Sequence, residues 1–278
     1  MMDPATVISL LLILCTAFFF APLGLGGGVL FVPIFLYIMK WDMQLSIVSS
    51  LILVLMVSFG SRNAHSKGGY AVMDVGKSAI PYAIVGAVGG TIIGFFLVEY
   101  VGDFTIKIAA VSLLVWVIMG TFRQLAEESD GNAAEAIEPK VIDPNVMKKY
   151  RGMCMASGVT SGLLGIGGGM LFVTFHRSLF SWKLHYAAGT SYVIETWMVP
   201  VGITSHLLIA QSGSNLVSAI SGFWIIITLL LVYASAWIGA RAAIKMVPQQ
   251  VLAYPFLLAL LASLARYSWD ILEISGLI

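Results

Sequence analysis

The stretch from Ser78 to Val98 contains no charged residue, and it is one of several apolar runs along the chain. At about 15 to 25 residues, these runs match the length that crosses the hydrocarbon core of a bilayer. Lipid offers no partner to a bare N–H or C=O, so each run reads as a helix whose hydrogen bonds close on themselves. Charged residues make up 10% of the 278, against 59% hydrophobic. Soluble domains carry roughly a quarter charged residues. A water-soluble enzyme and a disordered chain are therefore both excluded. A net charge of +1 excludes the concentrated basic surface of a nucleic-acid binder. The expected class is an all-α polytopic membrane protein, with the lipid bilayer as its first partner.

The apolar segments form one unit written twice. Gly24-Leu25-Gly26-Gly27-Gly28-Val29-Leu30-Phe31-Val32-Pro33 recurs as Gly165-Ile166-Gly167-Gly168-Gly169-Met170-Leu171-Phe172-Val173-Thr174. The offset of 141 residues (165 − 24) also carries Ser49-Ser50 onto Thr190-Ser191 and His65 onto His206, with no gap. The expected organisation is a first transmembrane repeat over 1–125, an acidic linker over 126–147 and a second repeat over 148–278. Each repeat opens with an interrupted segment A, Ala5 to Met39 and Lys148 to Phe180. Segment B follows over Met43 to Ala64 and Leu184 to Ile209. Segment C covers Ser78 to Val98 and Leu216 to Gly239, and segment D covers Phe104 to Phe122 and Gln250 to Ala265. The interruption leaves segment A open as two spans or as a re-entrant hairpin. The N-terminus has no basic region and no small-x-small cleavage site, so it reads as a retained first segment. Cys15 and Cys154 read as small buried helix residues without a disulfide.

Positive charge sets topology. The first B–C loop is expected to hold Arg62, Lys67 and Lys77, and the second, Ala210 to Asn215, is uncharged. With segments B, C and D each crossing once, and segment A an even number of times, one side collects most of the Lys and Arg. That side takes Arg62, Lys67, Lys77, Arg123, Lys140, Lys148, Lys149, Arg151, Arg177, Lys183, Arg241 and Lys245. Lys40, Lys107 and Arg266 fall on the other. The two repeats are then inverted, with both termini outside and the linker cytoplasmic. Inverted repeats with broken helices around a midplane site are common among secondary transporters.

The glycine runs carry the chemistry. A helix that restarts inside the membrane presents unpaired N–H groups and the positive end of its dipole. Gly26, Gly27 and Gly28 in one half and Gly167, Gly168 and Gly169 in the other are thus candidate anion contacts. Close helix packing is the alternative, and it is the reading preferred for Gly86, Gly90 and Gly94. On segment B, Ser50, Val54, Ser58, Ser61 and His65 share one helix face. Ser191, Glu195, Gly202 and His206 share the corresponding face of the second copy. Ser49, Ser50, Thr190, Ser191, His65 and His206 join the candidate binding set, with interhelical hydrogen bonding as their alternative role. Glu195 stands where the first half has Val54, and it is the one acid in the middle of an expected span. It serves either proton coupling or a hydrogen bond to a neighbouring helix near Pro200. No Lys or Arg is expected mid-span, so an anion would be held weakly enough for release. No catalytic residue, metal site or cofactor is expected. Cys15 and Cys154 lie on a different element from His65 and His206, and no His-x-x-x-His pair occurs, so an intramembrane enzyme is disfavoured. An anion channel or a non-catalytic membrane subunit is the alternative to a transporter.

The doubled Gly-[Leu/Ile]-Gly-Gly-Gly motif followed by [Val/Met]-Leu-Phe-Val resembles the sulfite exporter TauE/SafE family, as does Gly189-Thr190-Ser191 ahead of His206. The resemblance covers nearly the whole chain except the linker. It implies export of a small anionic substrate, sulfite or an organosulfonate such as sulfoacetate, across a bacterial inner membrane. Val48-Ser49-Ser50 departs from the second half's Gly189-Thr190-Ser191, and the acidic linker looks like an addition, so the anion within the class stays open. A single chain and a homo-oligomer also both stay open.

Overall fold

The computed structural model describes residues 3–129, 143–209, 222–246 and 249–275. Every regular element among them is helical. In chain order they are α1 (Pro4–Phe20), α2 (Gly28–Pro33), α3 (Met43–Lys67), α4 (Met73–Val101), α5 (Asp103–Ser129), α6 (Pro144–Leu164), α7 (Gly169–Phe180), α8 (Leu184–Ile209), α9 (Gly222–Met246) and α10 (Gln249–Ile274). Among the described residues, six stretches are long and apolar enough to cross a membrane: Pro4–Leu23, Met43–Lys67, Met73–Val101, Asp103–Phe122, Leu184–Ile209 and Phe223–Lys245.

Segment A breaks as its glycines suggest. A short turn over Ala21–Leu23 ends α1. The chain restarts at Gly28 and continues through a π-helical Ile34–Ile38. At 1.5 Å per residue, Gly28–Ile38 reaches roughly 17 Å, about half of a hydrocarbon core. Helix α7, with 12 residues, is similarly short. Each second limb is therefore too short to cross the hydrocarbon core as one straight helix.

Small residues set the packing. On α4, a Cβ at Gly86 or Gly90 would collide with the carbonyl oxygens of Met155 and Val159 on α6. From α6, Gly158 and Gly162 lie equally close to the carbonyls of Ala83 and Ala87. Backbones approach this closely in membranes only where side chains are absent. Gly86 and Gly90 thus play the packing role expected of them. Helix α9 meets α1 in the same manner, with Gly239 against the Phe18 carbonyl and Ser235 Oγ donating to Leu14 O at 2.8 Å.

Helices α3 and α8, equivalent under the 141-residue offset, pack along one another in opposite directions. Leu51 meets Gly202, Ser58 meets Glu195, and His65 lies beside Tyr192 and His185. Helix α3 also packs on α9 as α8 packs on α4, and α5 packs on α10.

Several charged residues depart from their expected places. Arg62 and Lys67 belong to α3, and Lys77 to α4, so the first B–C connection is short. Lys107 lies inside α5, is 8% exposed and is paired to Asp270 of α10. Arg266 stacks 4.1 Å from the Tyr37 ring, whose hydroxyl donates to Asp270 Oδ2 at 3.3 Å. Burial is tolerable because the charges find one another. Of the expected linker 126–147, residues 130–142 lie outside the described residues, and its ends belong to α5 and α6. The second B–C loop, Ala210 to Asn215, also lies outside them. Cys154 is buried, but Cys15 is exposed on α1. An apolar outer face suits lipid as well as a core does, so hydrophobicity alone did not place Cys15 inside.

Candidate functional site

The two breaks meet at the middle of α3 and α8. Gly27 (φ 83) and Gly168 (φ 78) take the left-handed conformation that turns the chain into α2 and α7. The remaining glycines of each run allow contact with the opposite half. A Cβ on Gly28 would fall 2.6 Å from Ile166 Cα. One on Gly169 would collide with Gly24 O and with Glu195 Oε1. Gly26 and Gly167 both face Val54, and a Cβ on Gly26 would lie 3.3 Å from Glu195 Oε2.

Equivalent serines tie the breaks crosswise. Ser50 Oγ donates to Gly165 O at 2.7 Å, and Ser191 Oγ shares its hydrogen between Ala188 O at 2.9 Å and Gly24 O at 3.3 Å. Each hydroxyl thus reaches the same carbonyl of the other half's break, Ser50 by the shorter bond and Ser191 by the longer arm of a shared one. A second layer surrounds the first break. Ser61 Oγ and Tyr192 OH both donate to Ala21 O, at 2.8 and 2.9 Å. Its counterpart in the second half is His206, whose Nε2 donates to Gly162 O at 2.8 Å.

Glu195 sits between the breaks and is fully buried. Ser58 Oγ donates to its Oε2 at 2.5 Å. Its Oε1 has no hydrogen-bond partner and faces Gly169, the first residue of α7. Among the described residues, the one ion pair is Lys107 with Asp270, so Glu195 has no cationic partner there. A carboxyl group ahead of a helix N-terminus meets the positive end of the dipole. Val54, its equivalent on α3, gives the facing side of the site no such group.

The other expected residues divide. Ser49 Oγ is buried without a partner. Thr190 Oγ1 accepts from Val72 N at 3.0 Å, and Gly189 lies against Tyr70 O, so this stretch anchors the α3–α4 connection. His65 Nδ1 donates to Ser61 O at 2.9 Å, and its buried Nε2 has no partner. Because α3 and α8 run oppositely, His65 and His206 lie at opposite ends of the pair. The breaks, Ser50, Ser191 and Glu195 come together. His65, His206 and Thr190 stand away from that centre.

Sequence reasoning missed two features. Tyr192, buried on α8, helps hold the first break; its spacing of three from Glu195 was a usable signal. Arg62, expected in the first B–C loop, instead continues the i+4 ladder of Ser50, Val54 and Ser58 on α3. Its Nη1 donates to Thr196 Oγ1 at 2.7 Å, on the residue next to Glu195.

Among the described residues, no group of three His, Cys, Asp or Glu side chains converges as a metal site would. The arrangement gathers glycine backbone, hydroxyls and one carboxyl group at a single buried point between the halves. Neither a curated relative nor a solved structure matches the chain. A family model described as sulfite exporter TauE/SafE matches residues 9–267. With helices that suit a membrane and a match over nearly its whole length, the chain belongs to the sulfite exporter TauE/SafE family of membrane transporters.

Proposed function

We propose that this protein exports small sulfur-containing anions, sulfite or short organosulfonates, by alternating access between two inverted halves. The observation that carries this reading is the meeting of two equivalent helix breaks, cross-tied by Ser50 and Ser191 around Glu195. The antiparallel pairing of α3 and α8 supports inversion. The clustering of Lys107, Arg266 and Tyr37 around Asp270 supports grouping Lys107 and Arg266 on one side. That side is the outside, with both termini there and the 126–147 linker in the cytoplasm of a bacterial cell.

The described state is closed, since each break packs on protein atoms. When the halves part, Gly26, Gly28 and Gly167–Gly169 present their N–H groups to an anion, with Ser49, Ser50 and Ser191 at its flanks, while Gly27 N–H stays on Leu25 O at 2.8 Å. Glu195 then occupies the place ahead of α7 that the anion would take. Two negative charges about 4 Å apart repel by about 4 kcal/mol at an effective dielectric of 20. An anion therefore enters when the carboxyl group already carries a proton; that proton stays with Glu195, and the charge that crosses is the anion's own. Nothing in the route requires catalysis or a resident cofactor.

An inside-negative potential of about 100 mV contributes about 2.3 kcal/mol for each negative charge leaving. This drives a monoanion outward about fiftyfold. The test is efflux from proteoliposomes under imposed potentials. Efflux of sulfite or ethanesulfonate should rise when the lumen is made negative. Flux indifferent to the sign of the potential rules out electrogenic export.

A further inference from the structure

A cavity of about 550 Å³ opens at the Lys67 end of α3, lined by Phe59, Arg62, Asn63 and Ser66 of α3, Met73 of α4 and Tyr233 of α9. Its donors are only partly used. Arg62 donates to Thr196 and forms no ion pair among the described residues. A guanidinium carries five N–H donors in a fork that suits an oxyanion. Asn63 Nδ2 donates to Tyr233 OH at 3.0 Å, which leaves the phenolic hydrogen free to donate. Phe59 and Met73 supply an apolar wall and are 41% and 37% exposed.

Arg62 links the cavity to the surroundings of the central acid. Arg62 follows Ser58 by one turn of α3, about 6 Å along the axis. Ser58 bonds Glu195, and Arg62 bonds its neighbour Thr196. An anion held by Arg62 would therefore wait one helical turn from the carboxyl group it must displace.

We propose that this cavity is the intake site for the transported anion, and that it selects a singly charged oxyanion head carrying a short apolar body. The head pairs with Arg62 and Tyr233, and the body lies on Phe59 and Met73. The assignment rests on the transport reading. The same head chemistry also occurs in a phospholipid phosphate, so the test separates a free sulfonate from a lipid headgroup.

The full chain is reconstituted in phosphatidylcholine nanodiscs and titrated calorimetrically with ethanesulfonate and with sulfite. Arg62→Gln should weaken ethanesulfonate binding at least about tenfold, and Arg62→Lys should recover part of the loss. Phe59→Ala, at an exposed position, should weaken ethanesulfonate several-fold and leave sulfite unchanged. Adding phosphatidylglycerol should not shift the ethanesulfonate affinity; if the anionic lipid displaces ethanesulfonate, the cavity is a lipid site and the proposal fails. Unchanged affinity in Arg62→Gln also overturns it. Efflux from proteoliposomes separates the two claims. Wild type that transports, with an unchanged KM in Arg62→Gln, sinks the intake site alone. Wild type that transports nothing sinks the transport reading. Should Arg62→Gln misfold, Tyr233→Phe carries the same test, with a smaller expected loss of about threefold.

Discussion

Replacing Glu195 with Gln keeps the size and shape of the side chain while removing its charge and its capacity to take a proton. The Ser58 hydroxyl, now 2.5 Å from Oε2, can bond either end of an amide. The other end faces the start of α7, where Oε1 has no partner to lose. The stability change should therefore stay within about 1 kcal/mol, visible as a small shift in thermal unfolding. Transport should change far more. In wild type, an entering anion meets the carboxylate at a cost of about 4 kcal/mol unless that group is protonated. Ethanesulfonate efflux should therefore fall as pH rises, because fewer chains carry the proton. In the Gln variant no carboxylate competes, so efflux should become flat with pH and exceed wild type at the alkaline end. Ethanesulfonate suits the assay because it stays a monoanion throughout. A Gln variant that keeps both the wild-type rate and the wild-type pH profile refutes the competition between anion and carboxyl group.

Three further outcomes follow from the packing. Asp270→Asn leaves buried Lys107 without its acid and should lower stability by about 3 kcal/mol; a double change to Lys107→Met and Asp270→Leu should restore much of it in thermal melts. Gly90→Leu drives a side chain into the Val159 carbonyl and should destabilise the α4–α6 pair by about 1–3 kcal/mol or block insertion, read as loss of a monodisperse species. Ser50→Ala removes the 2.7 Å tie to Gly165 O, worth about 1 kcal/mol. It should speed efflux by a few-fold if parting of the halves limits the rate, and an unchanged rate places the slow step elsewhere.

Much of the architecture was legible because the constraint was local or repeated. Period-four polar residues marked the buried face of α3, and a repeated glycine run marked both breaks. What could not be read was tertiary. Charges usually end a membrane helix, which points Arg62 to a loop and gives no reason to expect Lys107 buried. Each continues its helix because another helix supplies a partner, Thr196 in one case and Asp270 in the other. Cys15 was placed inside because lipid and core favour the same residues. The glycines were legible as openings, but not what fills them. Ile166, Val54 and Glu195 close the site in this state, and none of the three is near the first break in sequence. Glu195 stood out by its charge, while its donor Ser58 lies 137 positions away, beyond the reach of any local pattern.

The most direct measurement is a cryo-electron-microscopy map of the reconstituted protein with saturating ethanesulfonate. The account expects density between Gly26–Gly28 and Gly167–Gly169, with the Ser50–Gly165 and Ser191–Gly24 ties broken and the Glu195 carboxyl group turned away from α7. Bound anion elsewhere on the transport route, with both ties intact and the breaks still in contact, contradicts it.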